Sequence, residues 1–187
     1  YWKKIKEALK DEKMFKMLHA PVQSGSEKVL RDMKRNHTVR DFEKLASLFH
    51  QAFPEGSLHT DIIVGFPTET EEDFRKTVEL LEKTRPYKVN VSRYGRREGT
   101  EAAKLKELPG WVVKERSRII ASLAKQIALE KNAKLIGKEV EVFVDEVNAG
   151  RTRSYRQVLL RGRLGSWKKV KIWGARAGYL IAKGFYA

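Results

Sequence analysis

Along the first 135 residues, the apolar positions alternate between strand-like runs and helix-like spacings. Three short apolar runs predict strands over 14–22, 58–64 and 87–94. Apolar residues three or four positions apart predict helices before and between these runs. This order favours an α/β fold with a parallel sheet and right-handed crossovers. Three strands are too few to close a barrel, so we expect an open sheet with an exposed edge near residues 15–22.

A different pattern begins at Gly137. One long helix is predicted over 112–135, and Gly137 ends it. Residues 139–145 then alternate strictly between polar and apolar, and three further short apolar runs follow at intervals of about ten residues. Such spacing is typical of a small antiparallel β-barrel. We therefore predict two domains, 1–135 and 136–187.

Composition narrows the class of protein. The net charge of +15 predicts a polyanionic partner, nucleic acid first, although a solvated lysine-rich surface is the alternative. No apolar run is long enough to cross a membrane and no signal peptide is recognised, so a cytoplasmic protein is expected. The sequence contains no cysteine, which excludes disulfides and cysteine-ligated metal in this chain. The amphipathic stripe that starts at Trp2 suggests that the sequence begins inside a folded domain.

The residues from 137 onward are strongly basic. They contain eleven lysines and arginines against four acids, with Tyr155, Trp167, Trp173 and Tyr179 interleaved. Cations beside flat rings suit RNA, because charge binds phosphate and rings stack on bases. The alternative is that the rings fill the barrel core, which we expect of Trp173 or Tyr179. The candidate RNA-binding residues are three arginines around an apparent loop and two neighbouring lysines: Arg151, Arg153, Arg156, Lys168 and Lys169.

Candidate site residues of the first domain follow the predicted strands. Gln23 and Ser24 come directly after the first strand, where parallel α/β sheets bind ligands, although a plain strand-to-helix turn has the same sequence. Asp61 lies within the apolar second strand and needs a hydrogen-bonding partner, and Gly65 ends that strand. Three arginines around the end of the third strand are suited to a carboxylate or phosphate, or to a solvated loop: Arg93, Arg96 and Arg97. The four histidines have no metal-site spacing, and no catalytic residue is identified.

Several of these segments resemble the radical S-adenosylmethionine (SAM) tRNA methylthiotransferases. Residues 19–26, followed by Met33-Lys-Arg35, resemble the family's fourth-strand signature. Residues 60–67 with 69–74 resemble its fifth, and 93–94 with 99–103 its sixth. The motifs occur in the family's order, and the resemblance implies that residues 1–135 form a partial (half) TIM-like barrel with parallel strands.

The remaining motifs extend the resemblance to nearly the whole chain. Residues 150–155 and 179–181 resemble the family's TRAM domain, a small RNA-binding β-barrel. Residues 108–111 and 114–118 are most like the archaeal and eukaryotic branch. That branch is associated with 2-methylthio-N6-threonylcarbamoyladenosine in tRNA, beside the anticodon.

The resemblance implies a reaction that needs cysteines. In the family, a [4Fe–4S] cluster on a three-cysteine motif cleaves SAM, and the resulting radical takes hydrogen from adenine C2. A second [4Fe–4S] cluster, on an N-terminal domain, supplies sulfur, and another SAM supplies the methyl group. Both cysteine sets would lie in a missing upstream part of the protein, so we expect this chain to bind no cluster and to be inactive alone. The resemblance also implies that the chain supplies part of the SAM pocket, through Gln23, Ser24, Asp61, Gly65 and Tyr94.

Some positions of the sequence differ from the family's pattern, and other functions remain as alternatives. Thr68 stands where the family usually has glycine, Glu98 where proline is common, and residues 165–168 replace an expected glycine–acid pair. The main alternative is a non-enzymatic RNA-binding protein on the same scaffold. Others are a methylthiotransferase for isopentenyladenosine or for a ribosomal protein, and a TIM-like phosphate-binding enzyme.

Overall fold

The computed structural model describes residues 2–186, in which helices and short strands alternate up to residue 133 and strands follow. The helices are α1 Trp2–Lys10, α2 Glu27–Asp32, α3 Val39–Ala52, α4 Glu71–Thr84 and α5 Gly110–Ala133. The strands are β1 Met17–His19, β2 Ser57–Val64, β3 Lys88–Arg93, β4 Glu139–Glu146, β5 Ala149–Thr152, β6 Gln157–Leu159, β7 Trp167–Ala175 and β8 Leu180–Ala182. A 3₁₀ turn, Glu101–Lys104, lies in the connection before α5.

The first three strands form one sheet in the order β1-β2-β3. Strands β2 and β3 run parallel, in a register that places Asp61 beside Asn90 and Val64 beside Arg93. The predicted α/β class is therefore confirmed. The first strand is shorter than the predicted run 14–22, because Pro21 has no N–H to donate and the pairing resumes only as an isolated parallel bridge between Gln23 and Ile62.

Side chains that precede α2 and α4 in the sequence cap the two helices. Thr70 and Asp73 form a reciprocal capping box at the start of α4. Ser26 caps α2 by accepting a hydrogen bond from the Val29 N–H. These caps fix where the two helices begin, directly after the loops that follow β1 and β2.

The strands after α5 close into a barrel in the order β4-β5-β6-β8-β7. The predicted barrel is confirmed, but it is mixed rather than purely antiparallel, since β6 and β8 pair in parallel. Arg151 lies in strand β5 and not in the expected loop, whereas Arg153 and Arg156 lie in the turn between β5 and β6. Gly150 lies in β5 because a Cβ there would overlap the Phe143 carbonyl group of β4.

The barrel core is aliphatic. It consists of Leu135, Val142, Val144, Val158, Leu160, Ile172, Ala175, Leu180 and Ala182. The expectation of an aromatic core residue is wrong for Trp173, which is 66% exposed. Alternation along β7 explains this, because the neighbouring Ile172 occupies the inward position.

Backbone packing divides the chain into two compact units. One comprises residues 1–18, 49–58 and 125–187, and the other residues 19–48 and 59–124. The predicted domain boundary at residues 135–136 stays a prediction. Among residues 2–186, no helix has the length and apolar character needed to cross a membrane.

Candidate active site and nucleic-acid surface

A cavity of about 670 Å³ lies at the carboxyl ends of β2 and β3. Gln23, Asp61 and Tyr94 line it, as three of the five predicted pocket residues. Parallel strands end at the same edge of a sheet, which is why residues far apart in sequence meet there. Phe66 also lines the cavity, and the sequence offered no signal for it other than its position after Gly65.

Gln23 is held in a strained backbone conformation. Its φ of 74° lies in the left-handed region, which a residue with a Cβ enters at a cost of about 1 to 2 kcal/mol. Two backbone hydrogen bonds to β2 enforce it: the Gln23 N–H donates to the Asp61 carbonyl at 2.8 Å, and the Ile63 N–H donates to the Gln23 carbonyl at 2.9 Å. Gln23 therefore occupies one defined place on the cavity wall.

Asp61 is half-buried and hydrogen-bonded through a single oxygen. Its Oδ1 lies 3.0 Å from His19 Nε2 and accepts a hydrogen bond from Asn90 Nδ2 at 2.8 Å. The sequence predicted that a carboxylate in this apolar strand would need a partner, and the structure supplies two from the neighbouring strands.

Tyr94 lines the cavity and carries a buried hydroxyl. Its Oη has no hydrogen-bonding partner among residues 2–186, although it is shielded from solvent. Its ring packs edge-on against Phe66 with a centroid distance of 5.3 Å. A buried hydroxyl without a partner is costly, so this atom is a natural contact for a bound molecule.

Ser24 and Gly65 do not line the cavity. Ser24 is fully buried, and its Oγ accepts a hydrogen bond from the Ser26 N–H at 3.2 Å. Gly65 has a φ of 78°, and a Cβ there would lie 2.6 Å from a methyl group of Val113. Both residues shape the turns behind the cavity wall.

A buried ion pair supports the turn after β2. Glu69 and Arg116 are 2% and 5% exposed, and Arg116 Nη1 lies 2.6 Å from Glu69 Oε2. The same carboxylate oxygen accepts the Gly65 N–H at 2.8 Å. Burial raises the pKa of the Glu69 carboxyl, and the hydrogen bonds from Gly65 and Arg116 partly offset this. The pair thereby joins α5 to the loop that carries Phe66.

Two histidines lie on the same sheet face as Asp61. The His19 and His59 rings are 6.3 Å apart, and His59 stacks on Tyr87 at 6.0 Å. Burial, assisted by the charges of Lys88 and His19, lowers the pKa of His59 from 6.5 to about 4. No cluster of three or more metal-ligating side chains occurs among residues 2–186.

The predicted RNA-binding residues lie on the barrel, in different environments. Arg153 stacks over the Trp167 ring at 3.7 Å and bonds Glu141 at 3.2 Å. Arg151 pairs with Asp145 and Glu146. Burial lowers the pKa of Arg151, but these carboxylates outweigh it and the net direction is upward.

The other three candidates for RNA binding differ in their exposure and in their hydrogen bonds. Lys169 is exposed on the outer side of β7, and Lys168 donates to the Arg161 carbonyl at 2.9 Å. Arg156 is only 5% exposed and donates to the carbonyls of Lys131 and Glu55. Its guanidinium is thus engaged inside the structure rather than displayed at the surface.

Alternation along β7 places aromatic and basic side chains together on the outside of the barrel. Trp167, Lys169, Lys171 and Trp173 are all exposed at every second position. Opposite them on β4, Glu141 is in register with Lys169 and Glu139 with Lys171. The surface therefore combines two exposed indole rings with cations that already face acids.

Comparison with known sequences identifies the class of protein. The profile of the radical SAM superfamily matches residues 2–81. The chain therefore carries radical SAM sequence in its first half, in agreement with the cavity at the ends of β2 and β3.

Individual relatives extend the similarity to the whole chain. A "Probable threonylcarbamoyladenosine tRNA methylthiotransferase" of Archaeoglobus fulgidus is 47% identical over 94% of this chain, and a protein of the same name from Pyrococcus horikoshii is 49% identical over 95%. A "tRNA-2-methylthio-N(6)-dimethylallyladenosine synthase" of Thermobifida fusca is 40% identical over 78% of the chain. The resemblance to the radical SAM tRNA methylthiotransferases, and most of all to their archaeal threonylcarbamoyladenosine branch, is confirmed. The chain spans 43% of the length of both archaeal relatives.

The buried neutral His59 predicts an acid-sensitive fold. Because its pKa is lower in the folded state than the ordinary 6.5, the unfolded chain binds the proton more tightly and stability falls as the pH drops from 6.5 towards 4. The expected loss is about 3 kcal/mol of unfolding free energy over that interval. Urea denaturation at several pH values measures it. His59→Gln should flatten this dependence, whereas Ile62→Val, a destabilising control on the same strand, should keep it; equal slopes in the two variants would refute the assignment.

The ion pair of Glu69 and Arg116 predicts a large effect of a single substitution. Arg116→Met leaves a buried carboxylate without its counter-charge, which should cost about 3 to 5 kcal/mol of unfolding free energy. The control is Arg118→Met on the same helix, where the side chain is exposed and the expected change is below about 0.5 kcal/mol. Denaturant unfolding compares the two, and similar losses would show that the pair does not support the turn. The double variant Glu69→Gln with Arg116→Met should recover part of the loss.

Proposed function

We propose that this chain is part of a tRNA methylthiotransferase that adds a methylthio group to C2 of N6-threonylcarbamoyladenosine beside the anticodon. The observation that carries the proposal is the 47–49% identity, over nearly the whole chain, to two archaeal proteins of that name. The dimethylallyladenosine enzyme is less similar and matches less of the chain, so threonylcarbamoyladenosine is the favoured substrate.

The cavity fits the adenosyl part of SAM. The Phe66 and Tyr94 rings offer an apolar wall, and Gln23 and Asp61 offer amide and carboxylate groups for ribose or adenine edges. The Tyr94 hydroxyl has no hydrogen-bonding partner among residues 2–186 and is proposed to form one further hydrogen bond to the ligand. When bound with its clusters, SAM supplies the radical and methyl chemistry of the family. Since the sequence contains no cysteine, both [4Fe–4S] clusters are assigned to the remainder of the full-length enzyme.

The barrel is proposed to hold the tRNA. The exposed ring of Trp173 suits base stacking, and Lys169 is available for a phosphate. Arg151 and Arg153 can exchange their carboxylate partners for a phosphate, because a surface ion pair stabilises by only about 0 to 1 kcal/mol. Arg156 is left out of the proposed contact surface, because its guanidinium is buried.

Further partners and the location follow from the same proposal. The upstream part of the enzyme is one partner, and the cytoplasm, where tRNA is modified, is the proposed location. The exposed sheet edge expected near residues 15–22 also predicts pairing with a second copy of the chain. Part of that edge is already bonded, since the Lys16 N–H donates to the Arg153 carbonyl at 2.7 Å. Dimerisation stays a prediction that solution scattering can address.

Deleting the gene in its source organism tests the proposed reaction. The nucleosides of total tRNA should lose 2-methylthio-N6-threonylcarbamoyladenosine and accumulate the unmethylthiolated form, as measured by liquid chromatography and mass spectrometry. Restoring the intact gene is the control. Loss of the dimethylallyl product would overturn the substrate assignment, and an unchanged profile would favour the alternative of a non-enzymatic RNA-binding protein.

The barrel surface predicts salt-sensitive RNA binding by the chain. Replacing Arg151, Arg153 and Lys169 with glutamine should weaken binding of a tRNA transcript and lower the slope of log K against log salt by about one for each phosphate that is no longer neutralised. A triple variant of equal charge change, with glutamine at Lys44, Arg75 and Lys106, is the control, because these side chains are exposed elsewhere. Fluorescence anisotropy in a salt series gives both quantities. Equal effects of the two triples would contradict a specific barrel surface.

A further inference from the structure

In the cavity at the ends of β2 and β3, the acidic side chains have protein partners and the basic side chains do not, among residues 2–186. Four cations line it and are called the pocket cations: Lys34, Arg35, Arg93 and Arg97. None of these four side chains has a hydrogen bond or ion pair to any residue in the range 2–186. They converge from two places in the chain, the end of α2 and the segment that follows β3.

The acids that line the same cavity are all engaged elsewhere. Asp32 bonds Lys28 at 3.0 Å and the Thr68 hydroxyl, and the Thr68 hydrogen bond is the largest cause that lowers its pKa. Asp61 bonds His19 and Asn90. Glu101 bonds Lys104 at 2.9 Å. The carboxylates are thus held by residues other than the pocket cations, which leaves the cations available to a ligand.

Backbone strain at Lys34 adds an independent observation. Lys34 follows α2 with a φ of 55°, at the position where helices commonly end with glycine. The Arg35 N–H donates to the Leu30 carbonyl at 2.9 Å and closes this helix end. A lysine there costs stability that glycine would not, and such strain is concentrated at ligand sites.

SAM alone does not account for these cations. It carries one carboxylate and two positive centres, an ammonium and a sulfonium, so its net charge is positive. One cation satisfies its carboxylate, and the others would repel it. The ligand that matches the cavity carries further anionic oxygen.

We propose that the pocket cations bind an anionic oxygen group of the adenosine substrate, either the carboxylate of its N6-threonylcarbamoyl substituent or a phosphate next to the nucleoside. This inference rests on the proposed function, from which the identity of the nucleoside comes. If the anion is the carboxylate, these side chains also contribute to substrate selection, because a dimethylallyl substituent has no charge for them to bind. An arginine fork matches either anion in geometry.

Titration of the chain with three small probes tests the inference. The probes are N6-threonylcarbamoyladenosine, which has the carboxylate and no phosphate, adenosine 5′-monophosphate, which has the reverse, and adenosine, which has neither. Backbone amide shifts of Gln23, Ser92 and Thr100, all on the cavity wall, are followed by nuclear magnetic resonance. At least one anionic probe should bind about fivefold more tightly than adenosine, as expected for a partly exposed ionic contact. The tighter of the two identifies the anionic group.

Variants establish that the pocket cations cause the difference. Arg93→Gln with Arg97→Gln should remove the advantage of the anionic probe. Arg40→Gln with Arg75→Gln, which changes the charge equally at exposed positions outside this cavity, should keep it. Lys34→Gly should retain the fold, since it relieves the strain, and should weaken the anionic probe as well.

Two outcomes would overturn the inference. One is that adenosine binds as tightly as both anionic probes, or that no probe shifts the cavity amides. The other is that the pocket variants behave like the control pair. Neither outcome decides the proposed reaction, which the nucleoside profile of the deletion strain tests separately. An unchanged nucleoside profile together with anion binding would refute the reaction but not the assignment of an anion site to the cavity.

Discussion

The candidate site depends on the hydrogen bonding of residues 20–23 to β2. The Gln23 N–H and carbonyl bond the backbone at Asp61 and Ile63, and the Thr60 hydroxyl bridges the Val22 N–H and the Ala20 carbonyl. These bonds bring the turn before α2 to the carboxyl end of the sheet even though β1 itself is only three residues long. The left-handed strain at Gln23 is offset by them, because a relaxed backbone would leave the two groups on β2 without partners.

Hydrogen bonds also hold the turn after β2, which carries Phe66 on the cavity wall. The turn after β2 is held from behind by Glu69, whose carboxylate accepts the Gly65 N–H while Arg116 neutralises its charge. Thr68 links this turn to the end of α2 through Asp32, and Lys28 donates to the Thr68 carbonyl at 2.9 Å. A glycine at residue 68 would provide the carbonyl but not the hydroxyl. The departure from the family pattern therefore has a structural consequence, which is a hydrogen bond from the Thr68 hydroxyl to Asp32.

Much of the fold was predictable from sequence, since periodicity and capping depend on local chemistry. The Thr-x-x-Asp pattern at residues 70–73 is visible in the sequence and forms the capping box that starts α4, and the alternation after Gly137 indicated a barrel. Strand β5 was missed because its short Ala-Gly-Arg-Thr run shows little β-branched character, and its glycine is explained only by the close approach of β4. Trp173 or Tyr179 was expected in the barrel core, but the barrel interior is filled by aliphatic side chains and Trp173 is exposed.

The assignment of the pocket residues stays a prediction, and its parts had different origins. Gln23 and Ser24 were proposed because ligand sites gather where parallel strands end, whereas Tyr94 was included only through the family resemblance. In the structure Gln23, Asp61 and Tyr94 line the cavity, while Ser24 and Gly65 face other parts of the structure, because topology alone cannot separate a residue on the cavity wall from its neighbour in sequence. The hydrogen-bonding partners of the arginines could not be predicted either. Arg156 and Arg153 have similar sequence surroundings, and only the structure shows that Arg156 donates to backbone carbonyl oxygens.

Two kinds of basic surface result, and they differ in how they can select a ligand. On the barrel, Arg151 and Arg153 already face carboxylates, so an incoming phosphate replaces an existing partner and gains little beyond the release of counterions. Such a surface binds polyanions with little dependence on sequence. In the cavity, the acids are engaged elsewhere and the pocket cations have no protein partner among residues 2–186, so an anionic group there displaces only water. The cavity is therefore expected to distinguish a ligand with an anionic group at this position from one without it, which the barrel surface is not.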